Sequence, residues 1–265
     1  VAPAPTRRDA IALVRAELQP SLWVALHTEL REHAAGKGLV SAFASSTFEQ
    51  AKIDPGTEID ALIAGCAPQI GCFTLFEHHI SPDRIRRFLE ISAEGSVSPA
   101  EWLSESPPSV RISYASDKKG VAVLTQVNEN LLLASLRPSP TLVAALQDTR
   151  GLEASTGGNV MVGAVHPPSP LLEDGLALRL TIAPDGALVG ELSGRVAGDY
   201  PPQLAAEHTS AYLDRRLGYW WIPPGVFSQG FQFETSGDKL SMPVRVEAPL
   251  IETITAGLRL AMRFR

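Results

Sequence analysis

Long apolar runs are missing from this chain: the longest, such as Leu131 to Ala134, fall far short of the roughly 20 residues that span a bilayer as a helix. Lysine is scarce, with arginine dominating the 23 basic residues. A net charge of −6 leaves no basic surplus to neutralise phosphates, which argues against general nucleic-acid binding. Cysteine is nearly absent. The two that occur, Cys66 and Cys72, are separated by five residues rather than two, and no histidine follows Cys72. Thioredoxin-like redox chemistry and c-type haem attachment therefore lack their signatures. Catalytic and cofactor motifs are missing as well. There is no H-E-x-x-H and no G-x-S-x-G elbow, and Gly157-Gly158 lacks the spacing of a dinucleotide or phosphate loop. No cofactor, no metal and no catalytic residue is expected on these grounds.

What is present is apolar material, 45% of the chain, enough to bury a substantial core. Abundant Ala, Pro, Gly and Arg read as the coding bias of a GC-rich genome. One phrase returns four times, at His79-Ile80-Ser81-Pro82, Arg137-Pro138-Ser139-Pro140, Gly198-Asp199-Tyr200-Pro201 and Val246-Glu247-Ala248-Pro249. Each time, alternating strand-like residues end at a proline that opens an amphipathic helix. Proline suits the first helical position because that N–H has no intrahelical partner, and a preceding Ser or Asp can cap the end.

The strands predicted between these joints come in pairs. Ile59 to Gly65 and Phe73 to Ile80 form a hairpin around Cys66 and Cys72, whose side chains can then meet across its closed end as a disulfide. Buried reduced thiols are the alternative. Val110 to Tyr114, Gly120 to Gln126 and Asn130 to Leu136 read as a meander. Asn159 to His166, Gly175 to Ile182, Ala187 to Val196, Val226 to Glu234 and Lys239 to Glu247 supply the strands of the second half. Helices are predicted at Pro82 to Ile91, Pro140 to Asp148, Pro201 to Leu217 and Pro249 to Arg263. Ser21 to Ala35 also reads as a helix, from the spacing of Leu22, Leu26, Glu29 and Leu30. Ala10 to Leu18 is either a strand or a helix, Gly38 to Lys52 is a candidate second helix, and Ala93 to Pro108 is a loop or short helix. The fold class is α+β: antiparallel sheets with helices on one face, in two similar ββα-rich halves, 1–150 and 151–265, side by side or merged.

Few residues invite a functional reading. The run Tyr219-Trp220-Trp221 follows Gly218 in a loop where consecutive rings cannot all enter one core. With Tyr200 as a possible neighbour, it is the candidate surface for a partner or ligand. His78 and His79 end a strand and point to opposite faces, so they cannot share a metal without a bend. A hydrolase using His79 with Glu77 or Asp83 is the weakest of the readings.

The segments Asp60-Ala61-Leu62-Ile63-Ala64-Gly65 and Pro82-Asp83-Arg84-Ile85-Arg86-Arg87-Phe88-Leu89, with the stretch from Ala134 to Leu146, resemble a loosely defined set of secreted proteins and lipoproteins of unknown function from myxobacteria and related GC-rich lineages. The resemblance implies an envelope location and a tandem α+β body, and no activity. The opening Val1-Ala2-Pro3-Ala4-Pro5 fits a processed secreted or lipid-anchored protein. Together these readings lead to a periplasmic or extracellular, non-catalytic accessory or structural protein. It would act by binding another envelope or extracellular protein, or by self-association. A carrier of a small apolar ligand is the alternative.

Overall fold

The computed structural model describes residues 10–27, 46–114, 120–149, 160–166, 171–198, 200–217 and 232–251. Their strands are β1 Leu22–Leu26, β2 Ile59–Ala67, β3 Gly71–His78, β4 Glu101–Glu105, β5 Pro108–Ser113 and β6 Val121–Gln126. They continue with β7 Leu131–Ser135, β8 Met161–Val165, β9 Leu172–Ile182, β10 Leu188–Val196, β11 Glu234–Ser236 and β12 Lys239–Val246. All join one open sheet of 12 strands in the order β11-β12-β10-β9-β8-β1-β2-β3-β7-β6-β5-β4, and every neighbouring pair is antiparallel. The described helices are α1 Ala10–Leu18, α2 Ser46–Gln50, α3 Pro55–Glu58, α4 Pro82–Glu94, α5 Pro140–Leu146 and α6 Pro202–Leu217, and a further helical turn begins at Ala248.

The helices predicted at Pro82 and Pro140 form there and the third begins at Pro202, while most of the one predicted from Pro249 to Arg263 lies outside the described residues; the serines in front of Pro82 and Pro140 do no capping. Neither Ser81 before Pro82 nor Ser139 before Pro140 makes a side-chain cap hydrogen bond. The fixed φ of proline is sufficient to start the helix. α3 is capped, because Asp54 accepts from the Gly56 N–H at 2.9 Å while Glu58 Oε2 accepts from the Asp54 N–H at 2.9 Å.

Two expectations are corrected. The stretch predicted as a helix from Ser21 carries β1 instead, a central strand paired with β2 on one side and β8 on the other. Leu22-Trp23-Val24-Ala25-Leu26 is apolar throughout because the sheet is covered on both faces at this point, and a doubly buried strand loses the alternation that would mark it. The stretch from Ala93 to Pro108, expected as a loop or short helix, carries the edge strand β4, paired with β5.

Helices also lie on both faces of the sheet, not on one. On the first face Leu26, Leu62, Phe76, Leu132, Leu180, Leu192 and Leu240 pack with Phe48 of α2, Ile85, Phe88 and Leu89 of α4, and Ala205 and Leu213 of α6. On the second, Trp23, Ala25, Ala61, Ile63, Phe73, Leu75, Leu131 and Leu133 pack with Ile11, Val14 and Leu18 of α1 and Leu142 and Leu146 of α5. The second cluster covers only the middle of the sheet, because α1 and α5 are short. A sheet this wide cannot be roofed by two helices of nine and seven residues, about 14 and 11 Å long. Among the described residues no helix covers the flanking strands β9, β10 and β12 on that side.

Candidate functional site

The open area was written into the strands. In Leu176-Ala177-Leu178-Arg179-Leu180 the leucines pack with the first-face core, and so Ala177 and Arg179 occupy the second face. β10 follows suit, with Leu188, Leu192 and Val196 inward and Glu191, Ser193 and Arg195 outward, as does β12 with Leu240, Met242 and Val244 against Lys239 and Ser241. Register then lines up small residues across the strands, since Trp23 pairs with Ala164, Ala164 with Ala177, Ala177 with Ser193, and Ser193 with Ser241. Beside α1 this floor forms a groove of about 780 Å³, walled by Ile11, Arg15 and Trp23. A second hollow of about 550 Å³ lies along α1 and shares Arg15, Trp23 and His166 with it.

Charges rim the groove. Arg195 bonds Asp238 at 3.2 Å and lies 3.8 Å from Glu173, and Lys239 pairs with Glu191 at 3.2 Å. The guanidinium of Arg15 lies 5.7 Å from the centre of the Trp23 ring, a cation–π contact. Trp23 is only 7% exposed, and its indole N–H is buried without a hydrogen-bond partner. At the end of the groove Gly175 takes φ +80°, and a Cβ there would strike the Val165 carbonyl oxygen and His166 Nδ1. Glycine is what lets the imidazole close over the strand.

The two cysteines form the expected disulfide. Cys66 and Cys72 face each other directly across β2 and β3, and their carbonyls accept outward, from the Ser21 and Leu136 N–H groups. They are thus a non-hydrogen-bonded pair, the closer of the two cross-strand arrangements. Leu22 pairs with Cys66 and Trp23 with Gly65, so the bridge fixes the strand end on which the Trp23 wall stands.

The histidine pair sits at the opposite end of the same hairpin. His79 is exposed, and its Nδ1 is 3.0 Å from both carboxylate oxygens of Asp60; the structure brings it to Asp60, not to the expected Glu77 or Asp83. His78 is 1% exposed, and its Nδ1 accepts from the Ile80 N–H at 3.2 Å while Nε2 has no partner. Burial drives its pKa down to about 4, against the pull of Asp60. Nearby, Arg84 makes a two-pronged ion pair with Glu58 and also donates to the Lys52 carbonyl, and its hydrogen bonds hold Glu58 below the usual carboxylate range. Among the described residues no three His, Cys, Asp or Glu side chains converge on a metal site.

Tyr219, Trp220 and Trp221 lie outside the described residues. Tyr200, their suspected neighbour, is 43% exposed just before α6, with Leu204 40% exposed on its first turn. The groove was missed in the sequence because its wall residue, Trp23, lay in a stretch whose spacing read as helical. The available signal was the small and charged residues alternating with leucine along β9 and β10.

The fold and site define an α+β body built on one wide antiparallel sheet, partly roofed on one face. No protein family matches the chain, and no curated protein does. Among solved structures it is similar to TP0453, a membrane-associated lipoprotein of Treponema pallidum. Crystal form I of TP0453 superposes with a TM-score of 0.54 at 9% identity, covering 97% of this chain and 100% of that one. Crystal form III gives 0.55 at 8% identity, covering 96% and 99%. At such identities the likeness is one of fold. No helix among the described residues is long and apolar enough to cross a membrane.

Proposed function

We propose that this chain is a non-catalytic binding protein of the bacterial envelope, and that the groove between α1 and the open face of β8, β9 and β10 is where it binds. The observation that carries this reading is the groove itself, a concavity of about 780 Å³ with a small-residue floor and a buried tryptophan wall. Its size falls in the range of roughly 300–1,000 Å³ typical of ligand sites. The envelope location rests on the Cys66–Cys72 disulfide, since such bonds persist in oxidising compartments. It agrees with the resemblance of the Asp60 to Gly65 and Pro82 to Leu89 segments to secreted proteins of GC-rich bacteria, and with the TP0453-like fold. A carrier or sensor of a small ligand follows most directly.

A second reading, an accessory protein that docks another envelope protein or a second copy of itself, is favoured by Tyr200 and Leu204, exposed together where α6 begins. Tyr219, Trp220 and Trp221 belong to this reading. The two are separated by isolating the protein from its source under mild conditions and identifying by mass spectrometry what stays with it. A small molecule in stoichiometric amount supports the groove, and one stoichiometric protein supports docking. A chain that carries neither and turns over a substrate contradicts both.

A further inference from the structure

We propose that the Cys66–Cys72 bond is a redox-sensitive clamp. While closed it holds α1 and α5 firmly on the second face of the sheet, and its reduction by a dithiol loosens both helices in a protein that stays folded.

The bond is placed where a thiol can reach it. Cys66 keeps step with Leu62 along β2 and Cys72 with Phe76 along β3, and those two side chains belong to the first-face core, so both cysteines project on that face. Among the described residues neither cysteine belongs to a core cluster; Cys72 is exposed and Cys66 half-buried. Exposed disulfides are the ones that exchange with thiols most readily. Nor does the ladder depend on the bridge. β2 and β3 pair along their length, and the carbonyls of Cys66 and Cys72 accept from Ser21 and Leu136 on the flanking chain. The opened hairpin is thus still held by its neighbours. A dithiol supplies the two electrons: one of its thiolates attacks Cys72 Sγ, the S–S bond breaks, and Cys66 leaves as a thiolate. The reductant's second thiol attacks the mixed disulfide, releases the Cys72 thiolate and leaves the reductant as its own disulfide. The two protons that the reductant loses are taken up by the two cysteines.

What the bond clamps is the turn that it closes. Ala67 and Ile70 of that turn are buried in the second-face core, with Val14 and Leu18 of α1 and Leu142 and Leu146 of α5. The chain ties both helices to the turn as well. Just before α5, Arg137 donates its N–H to the Ile70 carbonyl at 3.2 Å and its guanidinium to the Pro68 carbonyl at 3.5 Å. Just after α1, Ser21 donates its N–H and its hydroxyl to the Cys66 carbonyl, at 3.1 and 3.3 Å. Helices of nine and seven residues are too short to stand by themselves, so each depends on the core that Ile70 completes. Opening the ring frees the turn and weakens the hold of Ile70 on that core. Because α1 also walls the groove, the bond sets how firm that wall is; this last step alone rests on the binding role proposed above.

Amide hydrogen exchange of the full chain before and after dithiothreitol tests the clamp, in the parent and in Ile70→Ala. Thiol titration and near-ultraviolet circular dichroism accompany it. The expected result is two free thiols in a protein that keeps its native spectrum, with exchange in α1 and α5 faster by about thirtyfold in the parent, the entropy of so short a ring read as an opening equilibrium. In Ile70→Ala the link is already cut, so reduction should accelerate the same amides about threefold or less; Ile70→Val serves should the alanine variant fail to fold. A bridge that acts on global stability alone accelerates exchange equally in both proteins, and that result would overturn the proposal. So would unchanged exchange in the reduced parent, a bond that dithiothreitol opens only in denaturant, or loss of the native spectrum on reduction. No ligand enters the measurement, so its failure leaves the binding role of the groove standing.

Discussion

Acidification should unload this fold through a single buried histidine. His78 lies on the first face of the sheet with its Nε2 unpaired, and its pKa in the folded protein is about 4, against an ordinary value of 6.5. The unfolded chain therefore binds a proton on this residue at a pH where the folded chain refuses it. The contribution that His78 makes by staying neutral is fully present above about pH 6.5, falls as the pH drops toward 4, and is gone below that. A shift of this size corresponds to about 3 kcal/mol in total, of which about 2 kcal/mol is lost between pH 7.5 and pH 5. Against a typical domain stability of roughly 5–15 kcal/mol, that is a large fraction. Urea unfolding at the two pH values reads it directly. His78→Asn is the control, since its side-chain oxygen can still accept from the Ile80 N–H while nothing titrates. The variant should show a pH-dependent loss about 2 kcal/mol smaller than the parent over this window. Carboxylates such as Glu58, whose pKa is lowered, lose their contribution at lower pH and in both proteins alike. Parallel pH–stability curves for parent and variant would refute the reasoning.

Three further expectations follow from the packing. Reducing the disulfide, or replacing Cys66 and Cys72 with serine, should cost about 2 kcal/mol by the chain-entropy argument for a loop this short, read as a lower urea midpoint in the presence of reductant. Leu89→Ala removes a side chain fully buried between α4 and the sheet and should cost about 3 kcal/mol in denaturant unfolding. Gly190→Ala would push a Cβ into the Arg179 carbonyl oxygen across the β9–β10 ladder, and it should cost about 2 kcal/mol and raise hydrogen exchange locally in those strands.

The parts of this fold that were legible in the sequence are those where a local rule dominates. Pro82 and Pro140 open helices because proline's fixed φ acts at one position, whatever the rest of the chain does. The Cys66–Cys72 bridge followed from a short hairpin loop that sets the two residues across from each other. β1 was not legible. It is buried on both faces, and its apolar run carries the same leucine spacing as a helix, so only the long-range pairing with β2 and β8 decides its conformation. The helices on both faces were hidden for a related reason, since the sequence says that a face is apolar but not which helix covers it. The groove shares that origin. Trp23 becomes a wall only because α1 is too short to roof the strands beyond it, and a mismatch of helix length against sheet width has no signature in any one segment.

The central claim, that the open face beside α1 is a working binding site, is tested most directly by native mass spectrometry of the chain isolated gently from its source, alongside Ala177→Trp isolated in the same way. The account predicts a small bound mass on the parent chain that is absent from the variant. An identical bare mass for both, or the same adduct on both, would contradict it.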